Sequence, residues 1–325
     1  MTSSFSRLVA AGTLAILALS APAQGQPASW PTKAIRFVVP FAPGGGADIS
    51  ARVIATHMST SLGQSVFVEN KPGAGGVIGT DMVAKAPADG YTLLLGTIGP
   101  MAINPHLYKK LPYDVARDFM PISLAGNALN VLVVHPQVPA RTVSEFIGYA
   151  RTHPVAFGSS GNGATDHLAG ELFNTLTGTK MTHVAYKGGT PAMLDLMGGH
   201  VQAVFSTVST AAGAIRGGQI RALAMTGSKR YAAMPELPTM AEAGVPAFVV
   251  NNWYGVLAPA GTPPEIVARL NQALIAALQA PEVQAKMNES GIEPAWDTPS
   301  QFATYIHAES GKWKKIVADS GATAD

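Results

Sequence analysis

The residues of this chain most suited to chemistry form a glycine-rich run near its start, PFAPGGGAD, from Pro40 to Asp48. A strand-like apolar stretch at 35–39 precedes the run, and a helix-like stretch at 49–58 follows it. In such a turn the glycines let backbone N–H groups point at a ligand, with the positive end of a helix dipole behind them. The run therefore suits an anion, usually a carboxylate or a phosphate, although an ordinary strand-to-helix turn has the same pattern.

Three further glycine-rich segments lie in comparable positions. They are residues 70–76 (NKPGAGG), 158–163 (GSSGNG) and 186–191 (YKGGTP). Ligands of open parallel sheets bind beyond the carboxyl ends of the strands, which is where loops of this kind lie. One helix end contributes only about 0.3–1 kcal/mol, so several must converge on one ligand to give useful affinity. Together the four segments predict a cleft for a small organic anion.

Serine-based catalysis is the alternative that the same segments suggest. Ser160 has a glycine on one side only, because Asn162 stands where a nucleophile elbow needs a glycine. Asp166 and His167 are adjacent, so they cannot both orient one nucleophile. We therefore expect no enzyme and no catalytic residue. The alternative is an exported serine hydrolase that uses Ser159 or Ser160 on small esters.

The sequence predicts no cofactor, metal site or nucleic-acid partner. The glycine-rich segments lack the lysine of a phosphate-binding loop and the full spacing of a dinucleotide-binding loop. The eight histidines form no i, i+4 pair, and cysteine is absent. Charged residues make up 13% of the chain and the formal net charge is +2, so no broad basic face for nucleic acid is indicated.

The elements that must position these loops alternate along the chain between strand-like and helix-like stretches. This alternation predicts an α/β fold with mostly parallel sheets built from βαβ units and flanked by helices. The predicted strands are 35–39, 66–68, 91–95, 129–134, 155–157, 201–205 and 220–225. The predicted helices include 48–61, 78–84, 143–151, 165–176 and 191–197. Candidate capping boxes, which mark helix starts, are Thr142 with Glu145, Thr262 with Glu265, and Thr298 with Gln301.

The first residues are typical of an export signal. Arg7 precedes an apolar run at 8–19, and the small residues at 21–23 offer a cleavage site. The apolar run is too short to span a bilayer. We therefore expect residues 1–25 to be a cleaved signal peptide and the mature protein to be periplasmic. The remaining length, about 300 residues, suits two domains.

No linker composition marks a boundary between the two domains. The candidate crossings are the segments 124–127 and 249–254. If the chain crosses at both, residues 26–126 and 252–325 form a discontinuous first lobe, and residues 127–251 form the second lobe.

Four segments, in this order, resemble the tripartite tricarboxylate transporter receptors, the Bug-type periplasmic solute-binding proteins. They are residues 40–48, 69–76 (ENKPGAGG), 158–171 (GSSGNGATDHLAGE) and 186–199 (YKGGTPAMLDLMGG). The resemblance extends over essentially the whole mature chain. It implies a two-lobed, type II periplasmic-binding-protein (Venus-flytrap) fold that holds one ligand between its lobes and catalyses no reaction.

The resemblance also implies a ligand class, partners and a site. Receptors of this family capture small carboxylates for a pair of membrane subunits or for signalling, and a monomer is expected. The loop from Phe41 to Asp48 would hold one ligand carboxylate, and the loop from Ser159 to Thr165 would close on it from the second lobe. The expected ligand-binding residues are Phe41, Gly44, Gly45, Gly46, Ala47, Asp48, Thr97, Ser159, Ser160, Asn162, Gly163, Ala164, Thr165, Tyr186 and Ser206.

Two departures from the family pattern bear on the ligand. Ala164 stands where many relatives have Ser or Thr, which removes a side-chain donor. Ser206 and Thr207 stand where the family often has an acidic residue and an asparagine. Without an acidic group to receive an amine, an amino acid is the less favoured ligand. We therefore expect a dicarboxylate, a tricarboxylate or an aromatic acid.

Overall fold

The computed structural model of the protein describes residues 30–231 and 233–320, so the predicted signal peptide lies outside the described residues. The strands are β1 (Ile35–Val39), β2 (Val66–Asn70), β3 (Thr92–Thr97), β4 (Phe119–Ala128), β5 (Asn130–Val134), β6 (Ala156–Ser159), β7 (Thr182–Ala185), β8 (Ala203–Thr207), β9 (Arg221–Met225), β10 (Asn252–Pro259) and β11 (Ile292–Pro294). The helices are α1 (Gly46–Leu62), α2 (Val77–Ala84), α3 (Asn104–Leu107), α4 (Val115–Asp118), α5 (Val143–Thr152), α6 (Thr165–Thr177), α7 (Gly189–Met197), α8 (Val208–Arg216), α9 (Pro264–Gln279), α10 (Pro281–Glu289) and α11 (Pro299–Ser320).

Two sheets, each flanked by helices, form the two lobes. The first sheet has the strand order β11-β4-β10-β3-β1-β2, and the second has the order β7-β6-β8-β5-β9. The predicted two-lobed α/β fold is confirmed, and each sheet also contains antiparallel pairs. In each sheet the strand that receives the chain from the other lobe, β10 or β5, runs antiparallel to both of its neighbours. Local alternation of strands and helices does not reveal such an insertion.

Both lobes contain the same βαβαβ unit. In the first lobe β1 pairs in parallel with β2 and β3, and in the second lobe β6 pairs in parallel with β7 and β8. The helices that follow β1 and β6 are α1 and α6. Because parallel strands end at one edge of a sheet, each unit gathers its loops and helix N-termini at that edge.

The chain passes from the first sheet to the second at Leu129, since β4 ends at Ala128 and β5 begins at Asn130. It returns between β9 and β10. The candidate crossing at 124–127 therefore lies within β4 and is not a linker. The predicted lobe boundaries fall next to both passages, and the division into lobes at those residues stays a prediction.

The C-terminal helix α11 joins the two lobes. It packs against β4 and α3 of the first lobe and against α6 of the second. Its Phe302 and Trp313 are fully buried, and Trp253 of β10 meets the Phe302 ring edge-on at 5.6 Å. Burying a large apolar side chain contributes about 1.5–3 kcal/mol, so this helix is a stabilising brace. Within the described ranges, no helix is both long and apolar enough to cross a membrane.

Two of the three predicted capping boxes are present. Thr142 Oγ1 accepts from the Glu145 N–H (3.2 Å), and the Glu145 carboxylate accepts from the Thr142 N–H (3.3 Å). Thr298 and Gln301 make the same reciprocal pair. These side chains satisfy N–H groups that a helix start leaves without partners.

The capping box predicted at Thr262 is wrong. Pro263 occupies the N-cap of α9 and makes no side-chain cap. The Thr262 hydroxyl instead donates to the Pro259 carbonyl oxygen (2.7 Å). Because Pro263 takes the N-cap, Glu265 is the second residue of α9 and not the third, as a capping box needs, and the Thr262 hydroxyl bonds to the end of β10 instead.

Candidate functional site

A small cavity of about 60 Å³ lies between the two lobes. The first lobe lines it with residues that follow β1, with Thr97 at the end of β3 and with β10. These first-lobe residues are Phe41, Ala42, Gly45, Gly46, Ala47, Thr97, Asn252 and Tyr254. The second lobe lines it with Asn130, Ser160, Ala164, Thr165, Asp166, Gly189, Phe205, Ser206, Thr207 and Thr210.

Four helices begin at this cavity: α1 from the first lobe, and α6, α7 and α8 from the second. Residues at or next to the first position of each helix lie in its wall. None of the four N-cap residues, Gly45, Ala164, Gly188 and Thr207, makes a side-chain cap. A helix start leaves its first N–H groups without partners and carries a partial positive charge. The arrangement therefore suits a negatively charged group.

Side-chain cations are absent from the described wall of this cavity, since none of its residues is Lys, Arg or His. The wall carries hydroxyl groups instead, among them those of the buried residues Thr97, Thr165 and Ser206. An anion there would be held by N–H and O–H groups without an ion pair.

Asp48 shapes the first-lobe loop from behind the cavity wall. Its carboxylate accepts from the Gly44 N–H (2.9 Å), from Asn70 Nδ2 (3.0 Å) and from Arg52 Nε (3.0 Å). Burial opposes ionisation, but these hydrogen bonds and the Arg52 charge outweigh it and hold the pKa of Asp48 below its ordinary value. Gly45 is the N-cap of α1, and the braced loop turns at Gly44 with φ +83°.

Asp166 carries a carboxylate in the cavity wall. Its Oδ2 accepts from the Ser160 N–H (2.7 Å) and from Ser160 Oγ (2.6 Å), while Oδ1 accepts from the His167 N–H (3.0 Å). Burial nevertheless raises the pKa of Asp166 to about 6. The hydroxyl proton of Ser160 is committed to Asp166, so Ser160 has only acceptor capacity left for the cavity.

Ser159, in contrast, is fully buried behind the loop. Its Oγ lies 2.5 Å from Nε2 of His183, whose ring stacks on that of His167 at 3.9 Å. Burial lowers the pKa of His183 to about 4 and that of His167 to about 3. The serine that has a histidine partner thus does not reach the cavity, and Ser160, which does, donates to a carboxylate. This arrangement gives the serine-hydrolase alternative no support.

The loop at 73–76 closes the gap between the lobes and does not line the cavity. A Cβ on Gly75, where φ is +59°, would overlap the Asn162 carbonyl oxygen of the second lobe. The Tyr108 hydroxyl also donates to that carbonyl oxygen (3.3 Å). On the other side of the gap, Thr190 Oγ1 donates to the Pro43 carbonyl oxygen (3.1 Å). Part of the glycine-rich sequence therefore serves close contact between lobes.

The structure brings most, but not all, of the predicted site residues to the cavity. Those in its wall are Phe41, Gly45, Gly46, Ala47, Thr97, Ser160, Ala164, Thr165 and Ser206. Those outside it are Gly44, Asp48, Ser159, Asn162, Gly163 and Tyr186. The Tyr186 hydroxyl points to α7, where it donates to Asp195 Oδ2 (2.6 Å), and burial together with this carboxylate raises its pKa to about 12.

The predicted set of site residues lacks several residues of the wall: Ala42, Asn130, Asp166, Gly189, Phe205, Thr207, Thr210, Asn252 and Tyr254. Gly189 and Asp166 lie in glycine-rich segments that the sequence already marks as part of the site. Their predicted neighbours in those segments could therefore have pointed to them. Asn130 and Asn252 begin the strands that receive the chain from the other lobe, and no local pattern marks them. Only the topology brings them to the cavity.

Comparison with known proteins gives one family. The sequence model described as "Tripartite tricarboxylate transporter family receptor" matches residues 50–322. Protein BugT of Bordetella pertussis is 39% identical over 312 residues, which cover 95% of this chain and 95% of that protein. This extent matches the resemblance seen in the glycine-rich segments.

The fold of this chain is also similar to the folds of solved structures. An R. palustris protein solved with adipate superposes with a TM-score of 0.88 at 40% identity, covering 90% of this chain and 99% of that one. MatC from Rhodopseudomonas palustris, solved with bound malate, superposes with a TM-score of 0.85 at 33% identity, covering 89% and 100%. The two-lobed fold is thus that of carboxylate-bound proteins whose sequences are clearly similar.

Proposed function

This chain belongs to the tripartite tricarboxylate transporter receptor family, and we propose that it binds a small carboxylate in the cavity between its lobes. The proposed ligand is a dicarboxylate, a tricarboxylate or an aromatic acid. The protein would capture it in the periplasm, acting as a monomer, and deliver it to membrane subunits or signal its presence. The adipate and malate bound by two similar structures support this class of ligand.

The observation that carries the proposal is the meeting of four uncapped helix N-termini at one cavity that no described Lys, Arg or His lines. One such terminus contributes about 0.3–1 kcal/mol toward an anion, and up to about 2 kcal/mol in a partly buried geometry. Micromolar affinity corresponds to about −8 kcal/mol, so the four termini and the hydroxyl groups of the wall must act together.

The same arrangement links binding to closure. The N-terminus of α1 belongs to the first lobe, while those of α6, α7 and α8 belong to the second. Without an anion between them, these like partial charges oppose closure. A carboxylate attracts both sides at once, so it shifts the population toward the closed state by its greater affinity for that state.

The experiment is a thermal-shift screen of the mature protein against mono-, di- and tricarboxylates, aromatic acids and amino acids. The protein is first unfolded, dialysed and refolded, which removes any ligand that it carries from expression. At about a hundred times its dissociation constant, a ligand adds roughly 2.7 kcal/mol to the free energy of unfolding. We expect one carboxylate class to raise the Tm by several degrees.

Calorimetric titration of the best carboxylate gives its affinity, with the corresponding amide as the uncharged control. The amide should bind far more weakly, because it gives the helix termini no charge to neutralise. If no carboxylate raises the Tm of the refolded protein, or if amides bind equally well, the proposed function is wrong.

A further inference from the structure

One wall of the cavity carries a carboxylate where the rest of the site is built for anions. Asp166 lies in the first turn of α6, and its oxygens already accept from two N–H groups and from the Ser160 hydroxyl. Among the residues described, no cationic side chain shares the cavity with it. A ligand carboxylate directed at this wall would meet a like charge with nothing between them.

The Ser160 hydroxyl adds a second acceptor to the same wall. Its proton is directed at Asp166, so its remaining lone pairs can only accept from a ligand or water. Asn130 also lies in the wall, but its side-chain oxygen is enclosed within the protein and does not serve as an acceptor for a ligand.

We propose that Asp166, together with Ser160, selects carboxylates that also carry a hydrogen-bond donor, a hydroxyl or an ammonium group. The helix N-termini bind the carboxylate of such a ligand, and the donor faces the acceptors. An unsubstituted carboxylate leaves these acceptors without partners, and a second carboxylate placed against them is repelled. This inference rests on the proposed function and narrows the ligand class of the same site.

The inference also revises the expectation that amino acids are disfavoured. That expectation rests on Ser206, which stands where the family often has an acidic residue. The structure supplies an acidic group to the same cavity from α6 instead of from the end of β8. An ammonium group thus has a carboxylate to meet, although it comes from another element.

Two sets of matched probes test the proposal by calorimetric titration at pH 7.5. The first set is succinate, malate and aspartate, which differ only by hydrogen, hydroxyl or ammonium on one carbon. The second set is butyrate, 4-hydroxybutyrate, 4-aminobutyrate and succinate, which differ only in the group at the far end. We expect a donor-bearing probe of at least one set to bind at least tenfold more tightly than its donor-free parent.

The variant Asp166→Asn removes the charge and keeps an oxygen that can accept. It should reduce the preference for the donor-bearing probe to less than threefold and raise the affinity for the unsubstituted dicarboxylate. Asp195→Asn is the matched control, because Asp195 also accepts from a hydroxyl at 2.6 Å but lies outside the cavity. The control should keep the preference of the unaltered protein.

If Asp166→Asn does not fold, as judged by its thermal unfolding, Asp166→Ser tests the same claim by removing the charge with a smaller polar side chain. Butyrate and succinate binding as tightly as their substituted partners in the unaltered protein would overturn the inference. An unchanged preference in Asp166→Asn would do so as well. Failure of every carboxylate to bind, in contrast, would overturn the proposed function itself.

Discussion

At Gly46, the absence of a side chain sets how closely the two lobes approach. A Cβ there would stand 2.6 Å from Tyr254 Oη and 3.2 Å from Thr207 Oγ1, and it would also contact Ser209 Oγ. The neighbouring Gly45 has more room, since the nearest atoms to its Cβ would be at 3.9 Å. Two adjacent glycines of one run therefore have different reasons to be glycine.

We expect Gly46→Ala to weaken carboxylate binding at least tenfold, because the added methyl group separates α1 from the start of α8 when the lobes close. Titration of the carboxylate found in the screen measures this loss. Gly148→Ala is the matched control: this glycine also lies in a helix, and its Cβ would meet no atom within 4 Å. Equal affinity of both variants would show that Gly46 does not limit closure.

Asp166 should make stability depend on pH in an unusual direction for an aspartate. Its pKa is raised to about 6 in the folded protein, above the ordinary value of about 3.9 in the unfolded chain. Its contribution to stability is therefore fully present below about pH 4 and is lost as the pH rises through 6. Relative to the unaltered protein, Asp166→Asn should gain about 1–3 kcal/mol in unfolding free energy between pH 4 and pH 7.

Urea unfolding of both proteins at the two pH values, without ligand, measures this difference. The comparison cancels the titration of the other carboxyl groups that the two proteins share. A difference between the proteins that does not change with pH would mean that Asp166 ionises as easily in the folded chain as in the unfolded one.

Among the elements, helix starts show most directly what sequence can and cannot predict. The pair Thr142 and Glu145 sets the start of α5 through two local hydrogen bonds, so the pattern is sufficient. Helix α8 was missed although its sequence, VSTAAGAIR, is amphipathic, because the stretch has only nine residues and most of them are small. Yet its start supplies Thr207 and Thr210 to the cavity.

Thr142→Ala should lower the free energy of unfolding by about 1 kcal/mol, because it removes the cap of α5. Denaturant unfolding measures the loss, and ligand affinity should stay the same because α5 does not line the cavity. The control is Thr152→Ala at the other end of the helix, where the hydroxyl caps no N–H group: it donates to carbonyl oxygens of its own helix and lies 2.9 Å from His153 Nδ1. Equal losses in the two variants would contradict the role of the cap.

The βαβαβ units were also largely predictable, because their strands are defined by local sequence. The bounds of β1 are those that the sequence predicts, Ile35–Val39, since an apolar run between turn residues defines a buried strand locally. The placement of β10 between β3 and β4 depends on the path of the whole chain. Residues that reach the cavity from the crossing strands, such as Asn130 and Asn252, were unpredictable for that reason.

For the molecule as a whole, the contacts between lobes determine how readily it closes. The Thr190 hydroxyl donates across the gap to the Pro43 carbonyl oxygen. Such a hydrogen bond contributes about 0.5–1.5 kcal/mol, toward the lower end at an exposed position. Since it joins the two lobes, opening must break it.

Thr190→Val keeps the shape of the side chain and removes this donor. Because the closed state loses about 0.5–1.5 kcal/mol of stabilisation, we expect about two- to tenfold weaker carboxylate binding. The control is Thr175→Val on α6, whose exposed hydroxyl donates within its own helix. Titration compares the two, and small-angle scattering should show less compaction on ligand addition in Thr190→Val. Unaltered affinity and compaction would exclude this contact from closure.

The passage of the chain at Leu129 and its return before β10 make the second sheet an insertion in the first. Three of the four helix starts at the cavity, together with Asp166 and Asn130, lie within this continuous stretch. One exchange of the coding sequence for this stretch between two relatives would therefore replace most of the cavity wall at once. In such a lineage, ligand preference can be inherited separately from the lobe that the flanking segments form.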